Sequence, residues 1–163
     1  MSLIGIIGKK KNIQLIKNET NNIESKIIQL NKESIKNLKN IKFNEIIFME
    51  DIEIDQQEYK YFEELINRVN YLIINADIRI EILSKISINI PIKLITYGFN
   101  PKSTITISSI KEEKIIVSIQ RELISANNKK IEIQEKEIDI SQKKDKKVYT
   151  NLVVFIIKQL HNL

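Results

Sequence analysis

Short apolar runs alternate with longer segments of helical spacing through the first hundred residues, and this alternation constrains the fold more than any other feature. The runs are rich in isoleucine and occupy residues 3–7, 26–30, 43–49, 71–74 and 92–96. Between them, apolar side chains recur three or four residues apart, which is the period of an amphipathic helix. Strands that alternate with helices form mostly parallel sheets covered on both faces. We therefore predict an α/β domain with a Rossmann-like, mostly parallel sheet flanked by helices.

Two of the helical segments give specific predictions. The apolar positions of the first are Tyr61, Leu65 and Val69, with Phe62 and Ile66 beside them. Those of the second, which begins near Arg79, are Ile82, Leu83 and Ile86. The spacing of each set predicts a helix with one buried face.

The pattern changes from Ser103 onward, where apolar and polar residues alternate. The alternating apolar positions are Ile105, Ile107, Ile115, Val117, Ile119, Ile131 and Ile133. This period of two is typical of antiparallel strands with one exposed face, so we predict a small antiparallel extension of the sheet. Asn127-Asn128 tolerates positive φ and predicts a hairpin turn, and a slip in the alternation predicts a bulge near Glu135. An apolar stripe over residues 149–160 predicts a C-terminal helix.

Length, composition and charge limit the class of protein. The chain has 163 residues and no cysteine, so we predict a single domain over residues 1–163, in the cytoplasm and without disulfides. No apolar run approaches the roughly 20 residues of a membrane span. The net charge of +5 is almost entirely lysine, and the lysine-rich residues 142–147 are interpreted as a solvated connector. Nucleic acid is not a predicted partner, because arginines and interleaved aromatic residues are scarce.

The segment Gly5-Ile6-Ile7-Gly8-Lys9-Lys10 closes the first predicted strand and is the one segment suited to a phosphate. Glycines let backbone N–H groups approach an anion, and Lys9 supplies positive charge. A Walker-type loop has four residues between its glycines and a Ser or Thr after its lysine. This segment has two residues between its glycines, and Lys10 follows Lys9. A plain strand-to-helix turn is the alternative interpretation.

Acidic residues follow the third and fourth predicted strands, at the edge where α/β sheets bind ligands. Glu50 and Asp51 are candidates for a metal site or for acid–base chemistry, and their alternative is solvated charge at a helix start. Asp77 is either a ligand-binding group or the N-cap of the next helix. His161 is the only histidine, lies near the end of the sequence and is interpreted as a surface residue. Gly98 is predicted to adopt positive φ.

Four segments resemble, in the same order, motifs of the central domain of Mur ligases. IGIIG at residues 4–8 resembles the strand that enters the family's ATP loop, and LIINAD at residues 72–77 resembles a strand that ends in Asn-Ala-Asp. ITYGFNPKSTIT at residues 95–106 resembles the passage from a Tyr/Phe-Gly strand end into a small antiparallel sheet, and VYTNL at residues 148–152 resembles a helix start. The resemblance implies the family's fold, with ATP and magnesium as candidate cofactors.

Most of the family's catalytic residues are missing. Its Gly-Lys-Thr-Thr loop is absent, and Lys10 and Lys11 occupy the Ser/Thr positions. The family's metal-site histidine and modified lysine have no counterpart, and no segment corresponds to its N- and C-terminal domains. The resemblance therefore favours the fold over ATP-driven ligation.

Three functional hypotheses follow from these residues. The first is a non-catalytic Mur-ligase-like domain that binds a protein partner or a nucleotide-like ligand, and its candidate ligand-binding residues are Gly5, Gly8, Lys9, Asn75 and Asp77. The second is a small metal- and nucleotide-dependent enzyme of ligase or phosphoryl-transfer type that uses Glu50, Asp51 and Asp77. The third is a structural subunit that self-associates through its antiparallel strands.

Overall fold

The computed structural model describes residues 1–38, 40–89, 91–141 and 147–163. The strands are β1 (Ser2–Ile7), β2 (Ser25–Gln29), β3 (Glu45–Phe48), β4 (Tyr71–Asn75), β5 (Lys93–Gly98), β6 (Ile105–Ile110), β7 (Lys114–Ile119), β8 (Leu123–Ile124), β9 (Lys130–Ile131) and β10 (Gln134–Asp139). The α-helices are α1 (Lys10–Glu19), α2 (Lys32–Leu38), α3 (Tyr59–Ile66) and α4 (Val148–Leu160), with 3₁₀ turns at Gln56–Glu58 and Glu81–Ser84. The predicted connector at residues 142–147 lies, apart from Lys147, outside the described residues.

Eight strands form one sheet in the order β10-β7-β6-β5-β4-β3-β1-β2, and β8 pairs with β9 in a separate ribbon. Neighbouring strands from β2 to β6 in this order are parallel, whereas β7 is antiparallel to both β6 and β10. Because β1 lies between β2 and β3, the chain reverses its direction of advance across the sheet after β2. Doubly wound sheets bind ligands at the carboxyl ends of the strands where this reversal occurs.

Each face of the sheet has its own hydrophobic core. Ile4 and Ile6 of β1 contribute to the core beneath α1 and α4, whereas Ile7 contributes to the core beneath α2 and α3. All four residues of β3 are buried, as expected for a central strand covered on both faces. Helix α4 is buried continuously from Thr150 to Ile157, so apolar residues occupy more than one face of it. Among the described residues, no helix combines the length and apolar character needed to cross a membrane.

The structure confirms the predicted fold class. The sheet is mostly parallel and flanked by helices, and it continues into antiparallel strands that precede a C-terminal helix. Gly98 has the predicted positive φ, at 143°. Asn128 also has positive φ, at 58°, and lies in the turn that joins β8 to β9.

Several local predictions were wrong. The helix predicted near Arg79 is only the 3₁₀ turn Glu81–Ser84, which Ile80 precedes, so Asp77 is not a helix N-cap. In α3 Tyr61 is exposed, and the buried residues are Phe62, Leu65 and Ile66. Strand β10 pairs with β7 in unbroken register through Glu135, and the irregularity lies instead in β6, between Ile107 and Ser109.

Candidate functional site

The carboxyl ends of the parallel strands bring most of the predicted site residues to one edge of the sheet. Gly8 and Lys9 follow β1, Glu50 and Asp51 follow β3 after one residue, and Asn75 ends β4. Strands β1, β3 and β4 are consecutive neighbours in the sheet. The edge therefore combines residues from distant parts of the sequence, as the parallel topology requires.

Lysine residues surround the start of α1 at this edge. Lys9 is the N-cap, Lys10 and Lys11 follow it in the exposed first turn, and this turn contains no acidic residue. The first N–H groups of a helix have no intrahelical acceptor, and the helix dipole adds partial positive charge at the same end. The start of α1 is therefore a concentrated positive region.

A long ion pair joins the two strands on either side of the reversal point. Lys9 Nζ lies 3.8 Å from Glu50 Oε1, with the side chains 75% and 43% exposed. Exposed pairs of this kind contribute little to stability, about 0–1 kcal/mol. Lys9 can therefore exchange Glu50 for another anion at small cost.

The two glycines of the predicted phosphate loop have different roles. Gly5 lies within β1, and a Cβ added there would fall 2.6 Å from Leu30 Cδ1, so Leu30, which follows β2, would have to shift to admit a side chain. Gly8 lies at the edge, where a Cβ would be 3.2 Å from Met49 Cβ. Its carbonyl oxygen accepts a 2.9 Å hydrogen bond from Gln29 Nε2. Of the two glycines, only Gly8 is thus placed to meet a ligand.

The Asp77 carboxylate holds the loop that follows β5. Oδ2 accepts hydrogen bonds from Phe99 N at 2.6 Å and from the Tyr149 hydroxyl at 2.9 Å, and Oδ1 accepts one from Asn100 N at 2.9 Å. The Asp77 amide in turn donates to Oδ1 of the buried Asn75 at 3.0 Å. Both candidates therefore have partners within the protein, and together they connect β4, β5 and α4.

The hydrogen bond to Asp77 makes the Tyr149 hydroxyl harder to ionise. Partial burial of its hydroxyl and the hydrogen bond to the Asp77 carboxylate raise the pKa of Tyr149 to about 12. Its ring also meets Phe99 edge to face, with centroids 5.8 Å apart. The start of α4 is thereby fixed to the loop after β5.

The acidic candidates for a metal site are dispersed. Asp51 Oδ1 accepts a hydrogen bond from the Ile52 amide at 2.9 Å, and Glu50 faces Lys9. Within the described ranges, no group of three acidic or histidine side chains is close enough to hold a metal ion. The residues therefore offer a divalent metal few protein ligands at this edge.

Asp51 lines a polar crevice on the α3 side of the same edge. The crevice has a volume of about 510 Å³, and its walls include Tyr59, Arg79, Glu81 and Lys85. Asp51 is the sequence neighbour of Glu50. The carboxyl edge thus has a positive helix start on the α1 face and a polar crevice on the α3 face.

His161 is not the surface residue that the sequence predicted. Its side chain is only 12% exposed, and Nε2 lies 2.8 Å from Oε1 of Glu45, which is fully buried. The two residues are 116 positions apart, so no local pattern links them. The one available signal was an isolated acidic residue inside an apolar run.

Neither a protein-family model nor a curated protein matches this sequence.

Proposed function

We propose that this chain is a Mur-ligase-like domain without ligase activity that binds a phosphate-bearing, nucleotide-like ligand at the carboxyl edge of its sheet. The supporting observation is the run of lysines at the start of α1, beside the strand reversal between β1 and β3. A cytoplasmic location is part of this proposal, since nucleotides are abundant there.

Electrostatics favours an anion as the missing partner of this helix start. Positive side chains near the N-terminus of a helix oppose the helix dipole, which costs about 0.3–1 kcal/mol for each charge. A bound phosphate reverses that balance, because it accepts hydrogen bonds from the free N–H groups and neutralises the lysines. In this arrangement Lys9 exchanges Glu50 for the phosphate.

The polar crevice provides space for the remainder of the ligand. Asp51 can accept hydrogen bonds from sugar hydroxyls. Arg79 and the Tyr59 ring, which has Lys85 Nζ 5.8 Å from its centroid, line the same space. In dinucleotide-binding sheets, an acidic residue beyond the phosphate-binding helix binds the ribose hydroxyls. The combination supports a nucleotide-like ligand over a free inorganic anion.

The side chains at this edge support binding rather than turnover. Lys10 stands where a phosphate loop has a magnesium-binding hydroxyl. Asp77, which would be the acidic partner, is occupied by Phe99, Asn100 and Tyr149.

Thermal unfolding with ATP, ADP and UDP-linked sugars, each with magnesium, tests the proposal. A ligand at 100 times its dissociation constant stabilises the folded state by about 2.7 kcal/mol, which is roughly 5–10 °C for a domain of this size. We expect such a shift for at least one nucleotide, and Lys9→Ala is expected to weaken binding by about tenfold because one charged contact is lost.

Lys17→Ala is the matched control, because Lys17 is exposed in the last turn of the same helix, away from the edge. This variant is expected to bind as the unmodified protein does. Equal losses in both lysine variants would show that only net charge matters. The absence of any shift would refute nucleotide binding and direct the search to protein partners.

Glu50→Gln distinguishes the proposed nucleotide-binding domain from the alternative hypothesis of a metal-dependent enzyme. Removing the Glu50 carboxylate frees Lys9, so we expect nucleotide affinity to rise about two- to fivefold. An enzyme that uses Glu50 as a metal ligand must instead lose affinity for its metal-bound nucleotide. Calorimetric titration of both variants with ATP and magnesium measures the direction of the change.

The structural-subunit hypothesis has less support. Strand β10 is one edge of the sheet, and it carries Glu135, Lys136 and Glu137 in succession. Charged side chains on an edge strand oppose pairing with another sheet.

A further inference from the structure

Strand β2 is an open edge of the eight-stranded sheet, because only β1 pairs with it. The Ser2 amide of β1 lies opposite Ser25 and donates to the Glu24 carbonyl at 3.0 Å. In a parallel pair, alternate residues of a strand direct both of their backbone groups at the same neighbouring strand. Glu24 and the residues two and four positions after it therefore bond to β1, whereas the residues between them direct their N–H and C=O groups away from the sheet.

The outward backbone groups of β2 belong to Ser25, Ile27 and Gln29. The Ser25 amide donates to the Ile23 carbonyl at 2.7 Å. Among the described residues, none bonds to the outward N–H or C=O of Ile27 or to those of Gln29. A row of free backbone donors and acceptors at a sheet edge is a template for another strand.

The two edges of the sheet differ in their protection against such pairing. Edge strand β10 carries Glu135, Lys136, Glu137 and Asp139. Strand β2 has one charged residue, Lys26, contains no proline and pairs with β1 in unbroken register. Charges, prolines and bulges are the usual features that keep edge strands from pairing. Strand β2 is therefore the edge that is better suited to meet another strand.

We propose that β2 pairs antiparallel with β2 of a second copy of this chain, about a two-fold axis at Ile27. The Ile27 amide of each copy donates to the Ile27 carbonyl of the other, and each Gln29 amide donates to the partner's Ser25 carbonyl. The one charged side chain of the strand, Lys26, then lies opposite the partner's Ile28, so like charges do not face each other directly. The same surface thus complements itself, as a two-fold interface requires.

Pairing of this kind continues both hydrophobic cores across the axis. Ile27 belongs to the core beneath α1 and α4, and Ile28 packs against the core beneath α2 and α3. Each copy contributes only one short strand, so we expect a weak dimer. Because the two β2 strands run in opposite directions, the carboxyl edges of the two copies lie at opposite ends of the joined sheet. The dimer is therefore independent of the nucleotide proposal.

Sedimentation equilibrium of the full chain measures the association. We expect the mass to rise from 19.1 kDa towards twice that value as the concentration increases from micromolar to millimolar. Gln29→Pro removes an outward N–H without removing a bond to β1, so the dissociation constant of the dimer should rise about tenfold or more. Gln29→Ala is the matched control, because it loses the same side-chain hydrogen bond to Gly8 but keeps the amide. This control is expected to associate as the unmodified protein does.

A spin label at Lys26→Cys gives a second measurement that does not depend on how Gln29→Pro folds, since Lys26 is exposed and the chain has no other cysteine. In the proposed register the two labelled positions are diagonal neighbours, with Cα atoms about 7–8 Å apart. We expect strong dipolar coupling between these labels and none between labels at Glu135→Cys, on the opposite edge of the sheet. A chain that stays at 19.1 kDa at millimolar concentration, equal association of the two Gln29 variants, or no coupling at Lys26→Cys would overturn the proposal.

Discussion

Replacing Asp77 with alanine is expected to lower the free energy of unfolding by about 2–4 kcal/mol, because three hydrogen bonds to one carboxylate are lost together. Two of their donors are backbone amides, of Phe99 and Asn100, and the third is the Tyr149 hydroxyl. All three contacts are exposed, so water replaces part of what is lost. Urea denaturation of both proteins measures the change. The effect is large because one side chain connects the ends of β4 and β5 with α4.

Tyr149→Phe is the control for this change, since it removes only the third hydrogen bond and preserves the ring that contacts Phe99. It is expected to cost about 0.5–1.5 kcal/mol. Equal effects of Asp77→Ala and Tyr149→Phe would contradict anchoring of the two backbone amides.

The tyrosine titration gives an independent measure of the same contact. In the folded protein the pKa of Tyr149 is about 12, above its ordinary value of 10.0. The stabilisation that the Tyr149–Asp77 hydrogen bond gives the folded state is therefore present below pH 10 and is lost as the pH rises towards 12. Asp77→Asn removes the charge that opposes ionisation, so the pKa of Tyr149 moves back towards 10. Ultraviolet difference spectra against Tyr149→Phe isolate this tyrosine from the other four.

The sheet was predictable because its signal is local. The runs that became β1, β3 and β4 are apolar on both faces, so burial forces them into the centre of a covered sheet. The positive φ of Gly98 was also predictable locally, because this glycine ends a strand.

The segment between β4 and β5 shows where local spacing is insufficient. Its isoleucines suggest a helix, yet β-branched residues have only modest helix propensity. Ile80 and Ile82 are both buried, and an Asp51 oxygen lies 3.5 Å from the Ile82 amide. Tertiary contacts therefore select a short 3₁₀ turn over the helix that the spacing predicted.

The edge that holds the candidate site was predictable, but the partners of its residues were not. Parallel strands bring Lys9, Glu50 and Asp77 to one edge whatever their register. Which of them remains free depends on contacts between distant residues, such as Asp77 with Tyr149, 72 positions apart. The Glu45–His161 pair is more distant still and lies at the other end of the sheet. Single-sequence patterns carry no information on such pairs.

Gly98→Ala is expected to destabilise the protein by about 2–4 kcal/mol, from two additive causes. Gly98 has φ of 143°, a conformation that residues with a side chain rarely adopt. An added Cβ would also overlap the Asp77 carboxylate, because it would lie only 2.6 Å from Asp77 Cγ. The carboxylate must then move, which breaks its hydrogen bonds to Phe99 and Asn100.

Gly8→Ala is the matched comparison for this substitution, because Gly8 has no positive φ and its added Cβ would lie 3.2 Å from Met49 Cβ. Its expected cost is below about 1 kcal/mol. In the double variant Gly98→Ala/Asp77→Ala the clash is absent, so the combined loss should be smaller than the sum of the two single losses. Strict additivity in urea denaturation would mean that Gly98 and the Asp77 carboxylate do not interact, and that backbone strain alone requires glycine at this position.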